Sequence, residues 1–157
     1  MEKIKTGLAA FGMSGQIFHA PFISTNPAFC LTAITERNKN LSKERYPSAR
    51  IVRSFEELVA LDELELVVIN TPDSTHYEYT RKALEAGKNV LCEKAFTVNA
   101  DQARKLFALA KEKDLLITEA IWTRYMPSRK MIDDIISSGV IGEVTAVTAV
   151  SYTHLRA

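Results

Sequence analysis

Short apolar runs rich in β-branched residues alternate along the chain with longer segments in which apolar residues recur at helical spacing. The runs predict strands at residues 4–11, 29–35, 50–53, 64–70, 88–92 and 115–120. This alternation is typical of a parallel sheet covered by helices. The segment LELVVIN is apolar at consecutive positions, which predicts a sheet buried on both faces.

Helix boundaries in the first two thirds of the chain are marked by capping residues. Ser54 precedes Glu57, and Asn99 precedes Gln102, at the three-residue spacing of an N-cap and its partner. Gly87 is expected to end a helix before the fifth strand.

The pattern changes after about Ile121. Pro127 marks the start of a further helix, which is expected to end around Gly139. The alternating segment EVTAVTAV, residues 143–150, then predicts a strand.

Length and charge narrow the class of protein. The 157 residues suit one ordinary domain, and a net charge of +1 provides no broad field for nucleic acid or an anionic membrane. No stretch approaches the roughly 20 apolar residues of a membrane span, and the N-terminus lacks the apolar core of a signal peptide. We therefore expect a cytoplasmic protein with small-molecule partners.

The two cysteines do not suggest a disulfide framework or a metal site. Cys30 and Cys92 both lie in apolar runs that are predicted to be buried strands. Neither belongs to a cluster with metal-ligand spacing, so we expect no metal.

Small residues follow the first predicted strand. Ala10, Gly12 and Gly15 have the spacing of the dinucleotide fingerprint G-x-G-x-x-G, with alanine in place of the first glycine. Such a turn lets backbone N–H groups approach a pyrophosphate, although many strands end in a glycine turn that binds nothing. The residues predicted to bind the cofactor here are Phe11, Gly12, Met13, Ser14, Gly15 and Gln16.

An acidic residue follows the second predicted strand. Glu36 lies 21 residues after Gly15, where a carboxylate can accept hydrogen bonds from ribose hydroxyls and so favour NAD. The adjacent Arg37 could instead pair with the 2′-phosphate of NADP, and both could be solvated loop charges. The sequence therefore predicts NAD(P) without choosing between the two coenzymes.

Three motifs together resemble the glucose-fructose oxidoreductase / inositol dehydrogenase / MocA (Gfo/Idh/MocA) family of oxidoreductases. They are AAFGMSG after the first strand, NTPDSTH after the fourth and CEKA after the fifth, and the resemblance spans residues 3 to about 150. EKAFTVN and EAIWTRY are similar to the dihydrodiol and xylose dehydrogenase branch. The resemblance implies an α/β fold, a Rossmann-type doubly wound parallel sheet, followed by the truncated start of an α+β C-terminal domain.

The resemblance places Lys94 beside the nicotinamide and the substrate, as the catalytic residue. Ala95 stands where the family has a proline. A lysine at the carboxyl end of a central strand can hydrogen-bond a substrate hydroxyl, and burial there would lower its pKa. The alternative is an exposed lysine without this role.

Further cofactor contacts follow from the same resemblance. Thr71 and Pro72 are expected to line the nicotinamide half of the site. His76 is expected to have a supporting role, and His19 to pack and cap. The remaining candidates are Glu93, Trp122 and Arg124, with Trp122 equally interpretable as a core residue.

The resemblance implies hydride transfer between NAD(P) and a secondary alcohol of a sugar, polyol or diol. Family members carry a second domain, which is largely missing here, so we expect the fragment to be inactive and its full-length parent to be a homo-oligomer. A non-enzymatic NAD(P)-binding sensor on the same fold is an alternative. An adenosylmethionine-dependent methyltransferase would also explain the glycine turn, but not the Glu93–Lys94 pair.

Three segments are predicted: a cofactor domain at residues 1–121, the beginning of a C-terminal domain at 122–150, and a non-native tail at 151–157. The tail SYTHLRA departs from the family pattern and can be encoded by a transposase sequencing adapter. Residues 3–85 and those after Cys92 resemble different branches, so a chimera is a further hypothesis.

Overall fold

A computed structural model describes residues 2–148 of the chain. Its six strands are Ile4–Leu8 (β1), Phe29–Thr35 (β2), Arg50–Val52 (β3), Leu66–Ile69 (β4), Asn89–Cys92 (β5) and Ile117–Glu119 (β6). All six predicted strands are thereby confirmed, although most are shorter than their apolar runs.

The strands form one sheet in the order β3-β2-β1-β4-β5-β6, and every neighbouring pair is parallel. This is the strand order of a dinucleotide-binding Rossmann fold. Successive strands are added on one side of β1 up to β3 and on its other side from β4 onward, so the strand order reverses between β1 and β4. Ligands of open parallel sheets bind above the carboxyl ends of the strands at this point. The turn that contains Gly12 begins there.

Residues 2–120 also contain a π-helical segment, Gly15–His19, and five α-helices: Ala20–Thr25 (α1), Ser42–Arg45 (α2), Phe55–Val59 (α3), Asp73–Glu85 (α4) and Ala100–Glu112 (α5). The predicted caps are present: Ser54 Oγ accepts a hydrogen bond from Glu57 N at 3.1 Å, and Asn99 Oδ1 accepts one from Gln102 N at 2.9 Å. Gly87 follows α4 with φ of +74°, which a glycine adopts without strain.

Two apolar clusters lie on the two faces of the sheet. The larger one packs strand residues against α3, α4 and α5, and the smaller one contains Leu8, Ala20 and Ile34. Burial on both faces is confirmed for β4, whose Val67 and Val68 belong to different clusters. The prediction of two buried cysteines is half wrong, because Cys30 near the start of β2 is exposed.

The chain divides into two compact units, Met1–Ala120 and Ile121–Ala157. The described part of the second unit has a 3₁₀-helix at Trp122–Tyr125 and a helix at Pro127–Ser137 (α6), and Gly139 follows with φ of +71°. The start at Pro127 and the end near Gly139 are confirmed.

The strand predicted at residues 143–150 is not formed in its described part, because residues 144–148 have no regular structure. An alternating sequence forms a stable strand only when a neighbouring strand supplies hydrogen bonds, and no such partner exists among residues 121–148. Residues 149–157, with the predicted tail, lie outside the described part of the chain. No helix among residues 2–148 has the length and apolar character needed to cross a membrane.

Candidate coenzyme site

The turn after β1 is held in place by Asn70, at the end of β4. Ala10 N donates to Asn70 Oδ1 at 3.0 Å, and Asn70 Nδ2 donates to Ala10 O at 2.8 Å. Both backbone groups of Ala10 are therefore satisfied by one amide side chain. This pairing accounts for the shape of the turn at the position where the fingerprint has its first glycine.

The two glycines of the turn have different surroundings. A Cβ on Gly15 would lie 2.5 Å from Ala10 O and 2.9 Å from Asn70 Nδ2, so only glycine allows the helix to start this close to the turn. A Cβ on Gly12 would meet nothing within 4 Å. The space beside Gly12 is open, as a diphosphate needs, and the turn therefore fits the pyrophosphate of a dinucleotide.

A cleft of about 960 Å³ opens beside this turn. Of the predicted cofactor residues it is lined by Phe11, Gly12, Gln16, Glu36, Arg37, Thr71 and Pro72. Thr71 and Pro72 line the same cleft as Glu36 and Arg37, and their expected contact with the nicotinamide stays a prediction. Met13 is 73% exposed and Ser14 half-buried, and neither lines the cleft.

Glu36 is buried, and its carboxylate already accepts three hydrogen bonds from the loop that follows it. Ser42 N and Ser42 Oγ donate to Oε1 at 2.9 and 2.5 Å, and Leu41 N donates to Oε2 at 2.8 Å. Burial alone would raise the pKa of Glu36, but these hydrogen bonds, led by the Ser42 hydroxyl, and the charge of Arg53 lower it. The carboxylate is thus fixed, ionised and directed at its own loop.

We expect Glu36→Gln to lower the free energy of unfolding by about 1–2 kcal/mol at pH 7, because an amide replaces a carboxylate that accepts three hydrogen bonds. The pKa of Glu36 is lower in the folded than in the unfolded protein, so its contribution is complete above about pH 4.5 and lost as the pH falls further. Urea unfolding at pH 7 and at pH 3 should show that the free energy of unfolding decreases less in the variant than in the unaltered protein as the pH falls. Parallel curves for the two proteins would contradict this.

Glu93 and Lys94 follow β5 and have different surroundings. Glu93 Oε1 is 2.8 Å from His19 Nε2 and accepts a hydrogen bond from Ser14 Oγ at 3.3 Å. Lys94 is exposed, so the expected burial is wrong: its side chain follows the end of the strand, where the core no longer surrounds it. The Lys94–Ala95 peptide bond is cis.

His76 is fully buried at the start of α4, and each of its ring nitrogens lies within hydrogen-bond distance of a backbone carbonyl. Its Nδ1 lies 2.7 Å from Ala95 O and its Nε2 2.9 Å from Thr71 O. The side chain thereby connects the loop after β4 with the loop after β5. This geometry suits the expected supporting role, and a contact of His76 with the coenzyme stays a prediction.

Trp122 and Arg124 lie on the 3₁₀-helix of the second unit, so their approach to the coenzyme stays a prediction. Burial raises the pKa of the Cys92 thiol to about 12, which excludes a thiolate at neutral pH. Within residues 2–148 no three His, Cys, Asp or Glu side chains form a potential metal site.

Two residues that shape the site, Asn70 and His19, were not predicted from the sequence to do so. Asn70 fixes the glycine turn, and its position directly before the Thr71–Pro72 pair was the available signal. His19 was expected only to pack and cap, yet it contacts Glu93, 74 residues away. Nothing in the local sequence identifies a partner so distant.

The known proteins to which this chain is similar are oxidoreductases. Residues 4–120 match the family described as oxidoreductase family, NAD-binding Rossmann fold (GFO_IDH_MocA). The D-xylose 1-dehydrogenase (NADP(+)) of Hypocrea jecorina is 53% identical over 96 residues, which are 61% of this chain and 25% of that protein. The scyllo-inositol 2-dehydrogenase (NADP(+)) of Bacillus subtilis is 30% identical over 156 residues, 99% of this chain and 43% of that protein.

A solved structure shows the same fold. The 3-ketoreductase of Actinomadura kijaniata, in complex with NADP and TDP-benzene, is 30% identical with a TM-score of 0.87, over 90% of this chain and 44% of that one. The chain spans less than half the length of these relatives. From its sheet order, its glycine turn and these matches, the chain belongs to the Gfo/Idh/MocA family of oxidoreductases and carries the NAD-binding Rossmann fold of that family.

Proposed function

We propose that this chain is the coenzyme-binding part of an NADP-preferring oxidoreductase. The preference rests on one observation: the Glu36 carboxylate already accepts hydrogen bonds from Leu41 and Ser42. An acid that discriminates in favour of NAD must be free to accept both hydrogen bonds of the adenosine ribose. The Glu36 carboxylate is instead hydrogen-bonded within the loop that follows it. The next residue, Arg37, is exposed and lines the cleft.

Arg37 has the chemistry to recognise a 2′-phosphate. Its guanidinium is always charged and can bond two phosphate oxygens at once. The loop that carries it is fixed by Arg53, which donates to Glu36 O at 2.9 Å and to Lys39 O at 2.7 Å. The names of the D-xylose and scyllo-inositol dehydrogenases, both NADP(+) enzymes, agree with this preference.

The reaction we propose for the parent protein is oxidation of a secondary alcohol of a sugar, polyol or diol, or its reverse. Bound nicotinamide supplies the hydride acceptor or donor. The alcohol carbon loses a hydride, the hydroxyl loses a proton, and a carbonyl forms. On this chain the exposed Lys94 amine is the candidate to hydrogen-bond that hydroxyl and assist its proton transfer.

Turnover is not expected from the chain by itself. The relatives are more than twice as long, and we infer that the segments beyond the matched region complete the substrate pocket and the homo-oligomer of the parent. A non-enzymatic NAD(P) sensor would use the same cleft, but it would have no need for an amine at the position of Lys94.

Direct titration tests the proposal. We expect the 157-residue chain to bind NADPH at least tenfold more tightly than NADH, since the additional phosphate gains charge-assisted hydrogen bonds. Coenzyme fluorescence measures both affinities, and calorimetry with adenosylmethionine provides the control for another glycine-turn ligand. Equal affinities would contradict the NADP preference, and tight binding of adenosylmethionine alone would contradict the oxidoreductase assignment.

A further inference from the structure

The helix that follows the glycine turn is irregular at its start. Ala20 N donates to Gly15 O, a bond to the fifth residue back, and Gly15–His19 is π-helical. Pro21 comes next and has no N–H to bond the carbonyl of Ile17, which interrupts the regular helical ladder. A π-turn contains one residue more than an α-helical turn, and this additional residue changes which side chains face inward. Such turns are frequent at functional sites.

The consequence is an inward-facing histidine. His19 is 7% exposed, while the preceding Ile17 and Phe18 are 53% and 59% exposed. Its Nε2 lies 2.8 Å from Glu93 Oε1. Because a carboxylate only accepts hydrogen bonds, Nε2 carries the proton of this bond.

Glu93 is held from three directions. Besides His19, Ser14 Oγ donates to Oε1 at 3.3 Å and Lys94 N donates to Oε2 at 3.2 Å. Ser14 and His19 belong to the glycine turn and its helix, whereas Glu93 and Lys94 belong to the segment after β5. The carboxylate therefore connects the candidate pyrophosphate site with the backbone of Lys94.

We propose that His19 is a positioning residue which acts through Glu93 to fix the Lys94 segment relative to the glycine turn. In this arrangement Glu93 links the Lys94 segment to the glycine turn and is not itself a coenzyme ligand. This inference rests on the proposed function, since it assumes that the turn binds the diphosphate and that Lys94 lies beside the nicotinamide. It predicts that His19 affects the nicotinamide end of the ligand selectively.

The test compares two ligands on the full 157-residue chain. NADPH occupies both ends of the site, and 2′,5′-ADP carries the phosphorylated adenosine without the nicotinamide. We expect His19→Leu to weaken NADPH about tenfold while 2′,5′-ADP changes by less than about twofold, because a charge-assisted hydrogen bond is lost at one end only. His19→Gln, whose amide can still donate to the carboxylate, should restore NADPH binding to within about threefold.

Phe22→Ala is the matched control, since Phe22 lies on the same helix and is 67% exposed. It should leave both affinities unchanged. If His19→Leu does not fold, Glu93→Gln supplies the same comparison and should also weaken NADPH selectively.

Three outcomes would overturn the inference: equal weakening of both ligands, no weakening of either, or a glutamine variant as weak as the leucine variant. If the unaltered chain binds neither NADPH nor 2′,5′-ADP, the proposed function itself fails. That result is distinguished from failure of the inference alone, in which the unaltered chain binds both ligands.

Discussion

Gly15→Ala should strongly weaken coenzyme binding and destabilise the protein. The added Cβ would lie 2.5 Å from Ala10 O, a backbone atom that Asn70 Nδ2 holds at 2.8 Å. Relief requires the turn and the helix start to separate, which costs about 1–3 kcal/mol of unfolding free energy, as overpacking usually does. The same movement displaces the N–H groups directed at the diphosphate, so we expect NADPH affinity to fall roughly a hundredfold.

Gly12→Ala is the matched control for this effect, because its Cβ would meet nothing within 4 Å in the ligand-free protein. Its unfolding free energy should stay within about 0.5 kcal/mol of the unaltered chain. NADPH affinity should still fall about tenfold, since the methyl group takes space that the diphosphate requires. Urea unfolding and fluorescence titration separate the two variants, and equal destabilisation by both would contradict the geometry of the turn.

The fold was predictable because each strand is a short apolar run bounded by polar or small residues. The ends of the strands were less predictable, as the first one shows. Ala9 and Phe11 were assigned to the strand because they are apolar, and they are indeed buried, but they belong to the turn after β1. Hydrophobicity records burial, and burial continues past the last ladder hydrogen bond.

The predicted strand at residues 143–150 illustrates a second limit. Alternating residues such as Val144 and Val147 provide a face for a sheet, but strand formation also requires a partner elsewhere in the protein. Both side chains are exposed in the described structure. A local pattern therefore predicts what a segment can form, and the rest of the protein determines whether it forms.

The candidate site, like the fold, could be predicted from the sequence only in part. The glycine turn and the Glu36–Arg37 pair could be located from spacing alone, because backbone geometry requires those residue types at those positions. The commitment of Glu36 could not be predicted, since it depends on how the following loop returns to place Ser42 at 2.9 Å from the carboxylate. The contact between His19 and Glu93 is also a product of tertiary structure.

Arg37→Ala should convert an NADP-preferring chain into one that binds the two coenzymes about equally. The guanidinium is exposed in the cleft beside the fixed Glu36 carboxylate, and we propose that it bonds the 2′-phosphate. Loss of charge-assisted hydrogen bonds worth about 1.5–3 kcal/mol corresponds to a fall in NADPH affinity of roughly 10- to 100-fold. NADH has no 2′-phosphate, so its affinity should change by less than about twofold.

Arg104→Ala removes the same charge from the exposed surface of α5 and serves as the control for net charge. If it also weakened NADPH, the effect of Arg37 would be one of long-range attraction, which 0.5 M salt should suppress. Direct pairing predicts instead that Arg37→Ala alone changes the ratio of the NADPH and NADH dissociation constants. An unchanged ratio would show that Arg37 does not read the 2′-phosphate, and the preference would have to come from another cation of the cleft, such as Lys39.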